Sequence, residues 1–177
     1  MGRLICTIFI MLALLFSNEV AVGMFIIQES DSLQDISDYL EYLETGRELN
    51  PPVEEILRHG DSDFNSVDKI SYENYGNYIW LRLGVLNPRD MEEERIISIS
   101  QNFNEFKVFQ KNGENGILPA KRHQGRFFSY PSFLVTLKPG ENWVFIRLKG
   151  FLPFTARSLV ISTKSSADRL EIYINAV

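Results

Sequence analysis

The chain has 177 residues, with 18 Lys and Arg against 23 Asp and Glu, a formal net charge of -5 and a hydrophobic fraction of 45%. That length and apolar content suit one domain with a substantial core and exclude a disordered chain. The acidic balance argues against nucleic acid as a partner and against an anionic membrane surface, because neutralising phosphates takes a surplus of Lys and Arg.

Residues 1–23 have the three parts of a secretory signal peptide. Arg3 supplies the positive start, Ile5 to Phe16 is an unbroken apolar run of 12 residues, and Ala21 and Gly23 offer small side chains to a signal peptidase. The run is too short to cross a hydrocarbon core of ~30 Å as a helix, and Ser17-Asn18-Glu19 interrupts any extension of it. Cleavage is the expected outcome and a retained anchor the rival. Cys6 is the one cysteine and lies in this leader, so the processed chain is expected to lack both disulfide and thiol nucleophile. Residues 24–177 are expected to form a single extracytoplasmic domain, periplasmic or on the outer face of a membrane.

Met24 to Gln28 reads as a first strand. Ser32 with Asp35 makes a capping-box pattern, and Leu33, Ile36, Leu40 and Leu43 recur at near-helical spacing, which predicts a short helix through Leu43. A strand over Ile36 to Leu43 is the alternative, favoured by Tyr39 and Tyr42. Asn50-Pro51 resembles a cap and first helical residue opening one or two turns over Val53 to Leu57.

From Tyr78 the period changes to two. Ile79, Leu81, Leu83 and Val85 alternate with Tyr78, Trp80, Arg82 and Gly84, predicting a long strand that ends at Asn87-Pro88. Ile96 to Gln101 and Glu105 to Gln110 are expected to form a hairpin across a short joint. Asn112 to Gly116 is a strong turn. Phe133 to Leu137 and Trp143 to Lys149 are expected to form a second hairpin around Pro139-Gly140, and Arg157 to Thr163 and Leu170 to Ile174 the last strands. Six or seven strands with short turns and no crossover helices point to a mainly β fold, an antiparallel β-sandwich with a short N-terminal helical turn, with a single curled barrel as the alternative.

Motifs for chemistry are sparse. Asp61-x-Asp63-x-Asn65 opens like a calcium loop, but Ser66 stands where the loop needs Gly and Tyr72 where it needs the closing Glu. His59 and His123 lack the companions of a zinc site. Glu92-Glu93-Glu94 reads as an exposed charged turn. The sequence therefore predicts no metal, no cofactor and no enzyme, although dispersed carboxylates leave a glycan-acting enzyme as an alternative.

The strand faces turned away from the expected core are more informative. If Ile79, Leu81 and Leu83 point inward, Trp80 and Arg82 point away; if Val144, Ile146 and Leu148 point inward, Trp143, Phe145 and Arg147 do likewise. A flat ring beside a rigid guanidinium fork suits the apolar face and hydroxyl rim of a sugar, and a carboxylate suits the fork better still. The same residues also fit packing, with the Arg stem lying past the rings. The basic stretch Lys121 to Arg126, followed by Phe127, Phe128 and Tyr130, adds Arg126 and Tyr130 as candidate ligand contacts.

The stretches GNYIWLRLGVLNP (Gly76 to Pro88), ISQNFNEFKVFQKNG (Ile99 to Gly113) and FLVTLKPGENWVFIRLKG (Phe133 to Gly150) occur in the order of a known pattern. They resemble the carbohydrate-module-like extracellular domain, type 2, of bacterial seven-transmembrane receptors with diverse intracellular signalling modules. The resemblance covers about residues 30 to 165. It implies a jelly-roll-like, galactose-binding-like sandwich that senses sugars or related small molecules, with Trp80, Arg82 and Arg147 on pattern positions, and it favours a strand over Ile36 to Leu43. It also implies attachment to membrane helices and an output module, which this sequence lacks. The alternative to a small-ligand sensor is a structural or protein-interaction module.

Overall fold

The computed structural model describes residues 23–28, 33–45, 50–67, 78–99, 103–112, 116–123, 131–149 and 159–167. These form two sheets over a shared core. The larger has the order β4 (Asn65–Ser66), β3 (Leu40–Glu44), β5 (Tyr78–Asn87), β11 (Gly140–Lys149), β7 (Glu105–Asn112) and β8 (Gly116–Pro119). The smaller has the order β2 (Gln34–Asp35), β12 (Leu159–Ser162), β6 (Glu93–Ile99), β10 (Ser132–Leu137) and β9 (Lys121–His123). Pairing is antiparallel throughout except for β1 (Phe25–Ile26), which adds parallel to the end of β5. The predicted two-sheet β fold with a short N-terminal helical region is therefore present.

The core follows from period two on both sheets. Leu40 and Tyr42 of β3, Ile79 to Val85 at alternate positions of β5, Val144, Ile146 and Leu148 of β11, and Phe106 and Val108 of β7 line the larger sheet's inner face. Ile97 and Ile99, Val135 and Leu137, and Leu159 and Ile161 meet them from the smaller sheet.

Both expected hairpins are arches instead. β6, ending at Ile99, pairs with β10 and β12, whereas β7, beginning at Glu105, pairs with β11 and β8, so the two successive strands belong to different sheets. The chain returns to the smaller sheet between β8 and β9 and crosses to the larger again between β10 and β11. A tight turn between two alternating segments serves a hairpin or an arch alike, so the sequence pattern does not separate them. Asparagines hold two of the crossings between sheets, β10–β11 and β5–β6. Asn142 Oδ1 accepts from the Lys138 amide at 2.9 Å while its Nδ2 donates to the carbonyls of Lys138 and Gly140 at 2.8 and 2.9 Å. Gly140 supplies the φ of +85° that the turn requires. Asn87 Nδ2 donates to the Met91 and Leu137 carbonyls, tying the β5–β6 crossing to the end of β10.

The helix expected through Leu43 is also corrected. Asp35 Oδ1 accepts from the Ser37 amide at 2.9 Å and from its hydroxyl at 2.7 Å, and only a single 3₁₀ turn, Ser37–Tyr39, follows before β3. Pairing with β5 on one side and β4 on the other overrides the helical spacing and makes Leu40 to Glu44 a strand. The short helix α1 (Val53–Ile56) forms where expected, but with Pro52 and not Asn50 at its N-cap. Glu93 is not exposed: it is buried at the start of β6 and ion-paired to Arg89 and Arg95. The leader expected over residues 1–23 lies outside the described residues apart from Gly23, and so does the strand expected over Leu170 to Ile174.

Candidate functional site

The outer face of the larger sheet brings five of the sequence-predicted residues together. β11 runs antiparallel to β5 with Lys149 opposite Tyr78, Arg147 opposite Trp80, Phe145 opposite Arg82 and Trp143 opposite Gly84. Strand alternation places all eight on the face away from the inter-sheet core. The missing side chain at Gly84 makes room for its partner: a Cβ there would stand 3.2 Å from Trp143 Cζ3 and 3.3 Å from Cη2.

Part of this face is a second, smaller core. Trp80, at 0% exposure, packs with Phe145, with Leu43 of β3, and with Val53, Ile56 and Phe64 from α1 and the segment after it. The Phe109 ring lies 5.5 Å from that of Trp80 at 35°. Trp80 and Phe145 therefore work as packing residues in this conformation, not as an open platform.

Arg82 is fixed from four sides. Its Nε donates to Glu41 Oε2 at 2.7 Å and its Nη1 to Asp61 Oδ1 at 2.6 Å. The Phe64 ring lies 4.1 Å from the guanidinium carbon and the Trp143 ring 5.0 Å. The two carboxylates differ sharply: the Glu41 side chain is 16% exposed and that of Asp61 92%. One partner is built in, and the other stands in water.

Arg147 sits diagonally across the register from Arg82. Its Nη1 donates to Asn50 Oδ1 at 2.8 Å and its Nη2 pairs with Glu105. Its guanidinium carbon lies 5.6 Å from the Tyr78 ring centre and 5.7 Å from that of Trp80. Among the described residues two buried donors here have no acceptor, Arg147 Nε and Trp80 Nε1.

Arg126 and Tyr130 lie outside the described residues, beyond β9, which carries Lys121 to His123 along an edge of the smaller sheet. Sequence reasoning missed Glu41, Phe64, Tyr78, Asn50 and Glu105 as partners on this face. Asp61 drew notice only as the opening of a calcium-like spacing that breaks down at Ser66 and Tyr72. Asp61 serves Arg82, while Asp63 Oδ2 accepts from the Gly60 amide and meets His59 Nδ1, each at 3.0 Å. Among the described residues no group of three or more His, Cys, Asp or Glu is arranged to hold a metal. No protein-family model matches the chain, and no curated protein matches it either.

Proposed function

We propose that this chain is an extracytoplasmic binding domain for a small acidic ligand, a sugar acid by preference, with Arg82 as the anchoring cation. The observation that carries the proposal is the asymmetry at Arg82. Glu41 and two rings hold the guanidinium rigidly, while its outward fork is capped by Asp61, a carboxylate that already lies in solvent. A ligand carboxylate offers the same charged acceptor as the single Asp61 oxygen, with a second oxygen for the fork, and takes that place without disturbing the inner pair. Trp143, half-buried beside Arg82, supplies the ring against which an apolar sugar face rests.

The scaffold is a jelly-roll-like sandwich in this reading. Its support is the repeated passage of the chain between sheets, from β5 to β6, β6 to β7, β8 to β9 and β10 to β11. The sequence resemblance to the extracellular domain of seven-transmembrane receptors points the same way, and with it a sensory role that needs a membrane and output partner.

Thermal shift with galacturonate and glucuronate against galactose and glucose tests the proposal. An acid at ten times its Kd raises Tm by roughly 3 °C, and the neutral sugars do so far less. Asp61→Asn, which removes the internal competitor, tightens the acid; Arg82→Lys, which loses the fork, weakens it.

A second reading has its own observation. Both arginines already hold carboxylates, and Trp80 and Phe145 are sealed, as in a purely structural or protein-interaction module. Unfolding of the Arg82 and Arg147 variants, with no sugar or sugar acid raising Tm of the parent, selects that reading. A glycan-acting enzyme is the least supported, because Glu41 and Asp61, the carboxylates that meet on this face, are both engaged by one guanidinium.

A further inference from the structure

The opposite end of the same face carries a surplus of positive charge. Lys107 of β7 stands opposite Arg147, and Lys149 lies two residues further along β11, opposite Glu105. Glu105 is the acid these cations meet among the described residues: Arg147 Nη2 pairs with it directly and Lys107 Nζ lies 3.6 Å away. Lys149 Nζ instead sits 4.6 Å from the Tyr78 ring centre. Among the described residues Arg147, Lys107 and Lys149 are thus set against a single carboxylate, in a protein whose overall charge is -5.

The two orphan donors lie at this same corner. The indole Nε1–H of Trp80 can only donate, it is fully buried, and it has no acceptor. The Nε–H of Arg147, cross-strand from Trp80, is buried and equally without one. A buried polar group left in this state is a standing deficit that a bound acceptor removes. A water molecule would serve the donors and leave the charge. An anion serves both.

We propose that the Trp80–Arg147 corner is a small-oxyanion site, taking a phosphate, sulfate or carboxylate group. Its oxygens accept from Trp80 Nε1 and Arg147 Nε, and Lys107 and Lys149 complete the neutralisation. Asn50, exposed and bonded to Arg147 Nη1, and the half-exposed Lys107 mark the side from which the anion enters. This site does not rest on the Arg82 reading, and each has its own reporter. Trp80 lies beside Arg147 and Trp143 beside Arg82, and they are the two tryptophans of the chain.

The test is titration of the ¹⁵N-labelled chain with sodium phosphate and, separately, sodium sulfate at constant ionic strength, following both indole N–H signals, assigned through Trp143→Phe. The Trp80 signal moves and saturates, and the double variant Lys107→Gln/Lys149→Gln weakens the response about tenfold or more while Tm is retained. A Trp80 signal that ignores both anions overturns the proposal. So does an unchanged affinity in the double variant, or magnetisation exchange of the indole proton with a bound water in place of any anion response. A Trp143 response to galacturonate with a silent Trp80 upholds the Arg82 site and rejects this one; the reverse pattern does the opposite.

Discussion

Two cores share the larger sheet, and they are built on different physics. Between the sheets, Leu81, Leu83, Val144 and Ile146 meet Ile97, Val135 and Leu159 with no charged group among them. On the outer face, Trp80 and Phe145 meet Val53, Ile56 and Phe64, and two guanidinium groups stand at their margins. The inner core is held by non-directional burial, which tolerates small rearrangements and is sensitive mainly to lost volume. The outer one depends on charge partners at fixed positions, so its weak point is an unpaired charge and not a cavity. On the outer face the Arg82 guanidinium has one built-in acid partner and one that stands in solvent, and a contact that can be exchanged in this way is what ligand recognition needs.

Substitutions in the two cores sharpen the contrast. Leu81→Ala, fully buried between the sheets, is expected to cost about 4 kcal/mol, read as a lowered midpoint in urea unfolding. Arg82→Ala is expected to cost about 3 kcal/mol, because it strands Glu41 beneath the covering segment. The mechanisms separate in the double variant: adding Glu41→Gln to Arg82→Ala recovers stability, whereas no second truncation recovers Leu81→Ala. If the Glu41 change adds a further loss, the outer face is an ordinary apolar core with arginines at its edge.

An intermediate effect belongs to the tie between the sheets. Gln110 of β7 donates its amide to the Thr136 carbonyl and accepts from the Thr136 amide at 2.9 Å, so a side chain of one sheet pairs with the backbone of the other. Gln110→Ala leaves both backbone groups without that partner and is expected to cost about 2 kcal/mol in the same unfolding measurement. Amide exchange at Thr136 should rise with it. An unchanged exchange rate would assign the bond no role in holding β10 against β7.

The parts of this architecture that were legible in the sequence are those set by one strand alone. Alternation from Tyr78 to Asn87 and from Trp143 to Lys149 fixed which side chains share a face, and Pro139-Gly140 marked the corner between β10 and β11. What depended on two segments was hidden. Whether β6 and β7 pair with each other or face each other rests on the whole inter-sheet core, and no local pattern carries that. The cover over Trp80 was visible as a short helix around Val53 and Ile56, but its landing place is a long-range contact. Glu93 read as surface because three consecutive glutamates suggest solvent; alternation along β6 turns it to the side of Arg95 and Ile97. Asp61 had a calcium-like spacing, but its actual partner, Arg82, is 21 positions away.

Asp61→Asn carries the smallest stability effect and the most diagnostic one. The side chain is 92% exposed, so its ion pair with Arg82 contributes little to folding, within about 1 kcal/mol, and Glu41 continues to neutralise the guanidinium. Ligand binding responds in the opposite direction. A carboxylate entering the Arg82 fork no longer competes with a tethered one or meets its negative charge, so calorimetric affinity for galacturonate is expected to rise by about tenfold, equivalent to about 1.4 kcal/mol, with galactose unaffected. Stability and affinity thus part company at one residue. A structural ion pair predicts a change in the first alone; a capped binding fork predicts a change mainly in the second.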